Sequence, residues 1–131
     1  VVTELVFEIR NVAKQSVRGS RSHWYQTARV KNFEKSIILM ARQQLPALFE
    51  PFKELPLWVE IVYRYKTKLR TKEVYRTKTP DIDSNINKGI VDALKGILWE
   101  DDRYISRMSV MKLDSFVDTI TVRVGVLDEL S

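Results

Sequence analysis

Residues 57–65 alternate without a break. Leu57, Val59, Ile61, Tyr63 and Tyr65 share one face, and Trp58, Glu60, Val62 and Arg64 share the other. A period of two belongs to a β-strand, because successive side chains leave the backbone on opposite sides. Here both sides carry bulky apolar groups, which predicts a strand buried on much of both faces. Any fold for this chain has to cover that segment.

The flanking patterns supply the cover. Residues 4–10 alternate with Leu5, Phe7 and Ile9 on one face, a half-buried strand. Residues 11–27 are polar and basic, contain Gly19 and lack a sustained period, so they read as a long loop; loops of that length are often functional. Residues 29–45 read as a helix, with Phe33, Ile37, Met40, Ala41 and Leu45 near one stripe and Pro46 ending the pattern. Residues 46–56, with Pro46, Pro51 and Pro56, form a connector. A second helix fits residues 85–98, with Ile86, Ile90, Ala93, Leu94 and Ile97 as its stripe and Asp83 or Ser84 as N-cap. Residues 105–112 and 117–126 read as strands joined by a turn near 113–115. The order β-α-β-α-β-β, with about four strands, predicts one α+β (mixed α/β) domain over residues 1–131.

Composition narrows the chemistry. The chain has no cysteine and one histidine, His23. Disulfides, zinc ribbons, thiol catalysis and a multi-histidine metal site within one chain are excluded. A metal would be held by carboxylates, which favours hard cations, Mg²⁺ first and Mn²⁺ second. No apolar run approaches a bilayer span, and the opening residues do not read as a signal peptide, so no membrane partner and a cytoplasmic location are expected.

The net charge of +5 is concentrated. Residues 64–78 hold seven positive charges (Arg64, Lys66, Lys68, Arg70, Lys72, Arg76, Lys78) against Glu73, a sum of +6 that leaves −1 for the remaining chain. The first five recur at spacing two, and in an extended chain they point the same way. A polyanion would relieve their mutual repulsion by counterion release. A solvated edge strand protected by lysines is the plainer reading.

Directly after this ribbon, Asp81 and Asp83 sit at spacing two, able in an extended segment to offer oxygens to one cation. A turn or a helix cap accounts for them equally well. The second acidic cluster is Glu100, Asp101 and Asp102, after the second helix. Negative charge is disfavoured at a helix C-terminus, which invites a compensating cation; a solvated turn is the alternative. On the helix between them, Lys88 and Asp92 form an (i, i+4) pair that reads as a surface salt bridge or as a lysine beside a metal centre.

The segment from Thr79 to Asp102, with Asp81-x-Asp83, Lys88, Asp92-Ala93-Leu94 and Asp101-Asp102, resembles the RusA family of Holliday junction resolvases, bacterial and phage enzymes. The resemblance implies a homodimeric, Mg²⁺-dependent endodeoxyribonuclease that resolves four-way DNA junctions by paired symmetric nicks, without a small-molecule cofactor. It implies that Asp81, Asp83 and Asp102 bind the metal, with Asp101 able to exchange with Asp102, and that Lys88 is the catalytic lysine. The family usually has Asn after the second Asp and the lysine four residues beyond that Asp. Here Ser84 intervenes and Lys88 stands five residues beyond. Tyr104 replaces a common Gln.

On this reading the ribbon, together with Lys14, Arg18, Arg21, Arg29 and Lys31, would hold the junction arms. Trp24 and Tyr25 would stack on bases or serve a core or dimer contact. The alternatives are a non-catalytic DNA-binding module and a nuclease of the same chemistry acting on flaps or forks.

Overall fold

The computed structural model describes residues 2–11, 20–68, 72–82 and 84–128. The elements run β1 (Val2–Phe7), α1 (Ser20–Gln44), β2 (Leu57–Lys66), β3 (Val74–Tyr75), α2 (Ser84–Leu94), a 3₁₀ turn (Asp102–Tyr104), β4 (Ile105–Ser115) and β5 (Thr119–Val126). The five strands among the described residues form one mixed sheet in the order β1-β5-β2-β4-β3. The α+β reading therefore holds, with one strand more than expected.

β2 lies at the centre of the sheet, antiparallel to β5 and parallel to β4. Its face of Leu57, Val59, Ile61, Tyr63 and Tyr65 is buried. The register aligns Ile61 with Val122 and Val122 with Leu5, so one apolar face continues across three strands. Phe33, Ile37 and Ala41 of α1 and Ile86, Ile90 and Leu94 of α2 complete the same core. Both helices cover this face. On the opposite face only Val62 of β2 is fully buried, while Trp58, Glu60 and Arg64 are half-buried.

Three expectations need correction. Residues 20–27, read as loop, are helical, and α1 starts at Ser20. Periodicity reports a buried stripe, and the stripe of α1 begins at Phe33, so its first turns carried no pattern to read. Residues 12–19 of that expected loop lie outside the described residues. Next, α2 stops at Leu94 rather than residue 98. Gly96 takes φ +82°, which breaks the helix, and its N–H donates to Trp99 O at 2.7 Å. Finally, residues 113–115 are the end of β4, not a turn. Asp114 accepts from Arg76 at 2.7 Å and Ser115 donates to Glu73. Polar residues that signal a turn in isolation are held in the strand by distant partners. The actual turn, residues 116–118, crosses the end of β2, where Asp118 accepts the Lys66 N–H at 2.8 Å.

Candidate functional site

The acidic segment hangs from β4. After β3 the Arg76 N–H bonds to Lys112 O at 3.0 Å. The Arg76 guanidinium donates to Asp114 and, at 2.8 Å, to Thr79 O. The Lys112 ammonium donates to Lys78 O at 2.7 Å and to Pro80 O at 2.6 Å. Two cations thus grip the backbone immediately before Asp81, and the Thr79–Pro80 peptide is cis. Asp81 itself is exposed. Asp83 lies outside the described residues.

The first turn of α2, which follows Asp83, is fastened from beneath. The buried Tyr63 hydroxyl donates to Ile86 O at 3.1 Å and to Asn87 Oδ1 at 2.8 Å. Asn11 Nδ2 donates to the same Ile86 carbonyl at 3.3 Å. Burial, with a smaller contribution from Tyr65, pushes the Tyr63 phenol far up, so it stays a donor. Beside it the Tyr65 ring lies against two guanidinium groups, Arg76 at 4.6 Å and Arg10 at 5.3 Å. Lys88 is exposed on α2.

The structure distinguishes the two acids of the second cluster. Asp101 caps the 3₁₀ turn, accepting the Arg103 N–H at 3.0 Å. That bond, then the nearby Lys95 and Arg103 charges, hold its carboxyl below the usual range. Asp102 is half-buried and accepts the indole N–H of Trp99 at 2.8 Å. Among the described residues no ion pair joins Asp81 or Asp102 to a base, whereas Asp101, Asp114, Asp118, Glu4, Glu60 and Glu73 each have one. The donors available at both places are carboxylate oxygens, which fits a hard cation.

Their grouping is looser than the linear motif suggests. Asp102 immediately precedes the start of β4, while the Asp81 segment is tied to Lys112, seven residues along that strand. At ~3.3 Å per residue, Ile105 and Lys112 are roughly 23 Å apart. Among the described residues no three His, Cys, Asp or Glu side chains gather around one point.

The basic ribbon is not one straight array. β2 ends at Lys66, and the chain reverses into β3, antiparallel to β4. Arg64 is half-buried, paired with Glu73 at 2.9 Å and bonded to Thr121 at 3.2 Å. The Arg76 side chain is only 9% exposed. Both are engaged by carboxylates within the fold. Lys66, Lys68, Lys72 and Lys78 are exposed. Arg70, Lys14 and Arg18 lie outside the described residues. Arg21 belongs to the helical backbone of α1, and Arg29 and Lys31 are exposed on that helix.

Sequence reading missed Lys112, Tyr63 and Asn11. Their roles depend on which carbonyl lies opposite, and no local pattern announces that.

Exposed lysines and the exposed Asp81 thus lie beside one edge of a mixed sheet. The sequence profile of the family described as endodeoxyribonuclease RusA matches residues 8–125, nearly the whole chain. The chain belongs to that family, which makes it a nuclease of the Holliday junction resolvase class with branched DNA as its partner. It is also similar to the uncharacterized protein YqaN of Bacillus subtilis (strain 168), with 26% identity over 109 residues, 76% of each chain. No helix among the described residues is long and apolar enough to cross a membrane.

Proposed function

We propose that this chain is a Mg²⁺-dependent homodimer that resolves four-way DNA junctions by paired symmetric nicks. The family match across residues 8–125 carries the reading. The candidate metal-binding carboxylates are Asp81 and Asp83, beside the far end of β4, and Asp102, just before its start, with Mn²⁺ an acceptable substitute for Mg²⁺. Asp101 is the weaker candidate, because its carboxylate already caps a turn. When bound, the cation would lower the pKa of a water and polarise the scissile phosphate.

The chain's own residues do the remaining work. Lys112 and Arg76 fix the backbone that leads into Asp81. Tyr63 and Asn11 fix the turn that follows Asp83. Lys88 neutralises charge developing on the phosphate. Lys66, Lys68, Lys72 and Lys78 hold the junction arms through phosphate contacts. Two copies related by a two-fold axis match the near-symmetry of the junction and the need for opposed nicks.

The test is cleavage of an end-labelled four-way junction in Mg²⁺. Wild type should give symmetric paired nicks. Asp83→Asn should lower the rate by at least about 100-fold, the scale of losing a group that acts only in the transition state, while still binding the junction. Junction binding indifferent to metal, without nicks from wild type, would mean a non-catalytic binding module. Faster cleavage of flaps or forks than of junctions would reassign the substrate.

A further inference from the structure

Arg10 stands where the acidic segment is pinned down. Its guanidinium lies over the Tyr65 ring at 5.3 Å. The same ring carries Arg76 at 4.6 Å, and Arg76 holds Thr79 O, two residues before Asp81. The residue after Arg10, Asn11, holds Ile86 O, three residues after Asp83. Arg10 is therefore bracketed by the two contacts that fix the ends of the segment carrying Asp81 and Asp83.

The two arginines on Tyr65 differ in what their N–H groups do. Arg76 is almost enclosed and donates to Asp114 and Thr79 O. The Arg10 side chain is 53% exposed, and its one carboxylate neighbour among the described residues is Asp118, at 3.5 Å. The Asp118 oxygen it faces already accepts the Lys66 N–H at 2.8 Å. N–H···O bonds fall at about 2.7–3.2 Å, so the Arg10 contact is an ion pair without a hydrogen bond. Arg10 thus keeps its donors free while an aromatic face holds its plane. A lysine free in solvent loses rotamer freedom when it grips a phosphate; a guanidinium already stacked loses less. A planar fork with free donors suits an anion whose two oxygens can accept side by side, as a backbone phosphate does.

We infer that Arg10 binds a backbone phosphate of the strand to be cut, at or next to the scissile position, and so holds that strand against the Asp81–Asp83 segment. Asp118 orients the guanidinium before DNA arrives, and the phosphate replaces that long ion pair with two charged hydrogen bonds. Tyr65 is the positioning residue, acting through Arg10. The place at the cut rests on the nuclease reading above, whereas the phosphate contact itself needs no metal.

The test uses four-way junctions in which one phosphate flanking the branch point is replaced by a neutral methylphosphonate. Binding is measured in EDTA and nicking in Mg²⁺. Arg10→Gln should keep the wild-type circular dichroism and weaken junction binding about 10–100-fold, the scale of hydrogen bonds to a charged group. It should also reduce the slope of log K against log salt by about 0.9, one phosphate contact. Arg10→Lys should restore that slope but not the full affinity, because an ammonium lacks the fork. At one position the methylphosphonate should weaken wild type as much as Arg10→Gln does, and weaken Arg10→Gln no further. That position should coincide with the mapped cut or adjoin it. Additive losses at every position, or a salt slope unchanged by Arg10→Gln, overturn the phosphate contact. Non-additivity confined to phosphates away from the cut overturns its place in the reaction. A wild type that binds without nicking overturns the nuclease reading and the place at the cut with it, while the binding cycle in EDTA still decides the contact.

Discussion

Arg64 and Arg76 carry the same charge as the lysines around them but do different work. Arg76 lies against Tyr65, pairs with Asp114 and holds Thr79 O, all with its side chain almost enclosed. Removing it leaves Asp114 without its cation, at a cost of about 2–4 kcal/mol for a largely buried charge pair. Arg76→Ala should lower the urea midpoint. Replacing Lys66, Lys68, Lys72 and Lys78 with Gln should leave that midpoint nearly unchanged. It should instead reduce the slope of log K against log salt for junction binding by about two to four, since each phosphate contact contributes roughly 0.9. An unchanged slope would remove those lysines from the interface.

Glu73 gives a prediction with a definite sign. The Ser115 hydroxyl above all holds its carboxyl below the usual range; burial opposes it, and the Arg64 charge and hydrogen bond each add a smaller lowering. A carboxylate depressed in the folded state contributes stability above its unfolded pKa, about 4.3, and loses it as pH falls through the folded value. Wild type should therefore be more stable than Glu73→Gln at neutral pH. The gap should close on acidification below about pH 4, as followed by thermal melting. A gap independent of pH would show that the carboxylate's charge is not what matters.

At the scale of elements, the open face of the sheet is set by one close approach. A Cβ on Gly125 would sit 2.7 Å from three atoms of the Trp58 indole ring, which lies across β5. Arg123 stacks on that ring at 5.9 Å and pairs with Glu60 and Glu4, tying three strands together. Gly125→Ala should cost about 1–3 kcal/mol by overpacking. Combining it with Trp58→Ala should remove most of the Gly125→Ala penalty in a double-mutant cycle, measured by denaturant unfolding. Full additivity would mean the two positions do not touch.

At the scale of the whole molecule, the proposed function assigns binding to lysines and chemistry to carboxylates. Lys66, Lys68 and Lys72 flank the reversal between β2 and β3, Lys78 and Asp81 follow β3, and Asp102 precedes β4. Metal removal by EDTA should therefore abolish nicking while junction binding persists, and Mg²⁺ or Mn²⁺ should restore cleavage. Loss of binding together with cleavage, in a gel-shift assay with EDTA, would show that the metal builds the DNA surface itself.

The sequence by itself determined the element types, the central strand and the core. Each rests on local periodicity, and burial imprints that on neighbouring residues: Leu57 through Tyr65, Phe33 through Ala41, Ile86 through Leu94. It also determined the family, because the spacing from Asp81 to Asp102 is a linear pattern. It could not reveal the two-residue β3, the helical turns before Arg29 or the strand character of Asp114 and Ser115. Those depend on partners many residues away, whose contribution exceeds the local preference. The tertiary structure alone decided that Arg64 and Arg76 are bound within the fold, that Lys112 and Tyr63 hold the acidic segment, and that Asp101 rather than Asp102 caps a turn. Charge and spacing are properties of the chain, but the atom that lies opposite a side chain is fixed only when distant segments pack together.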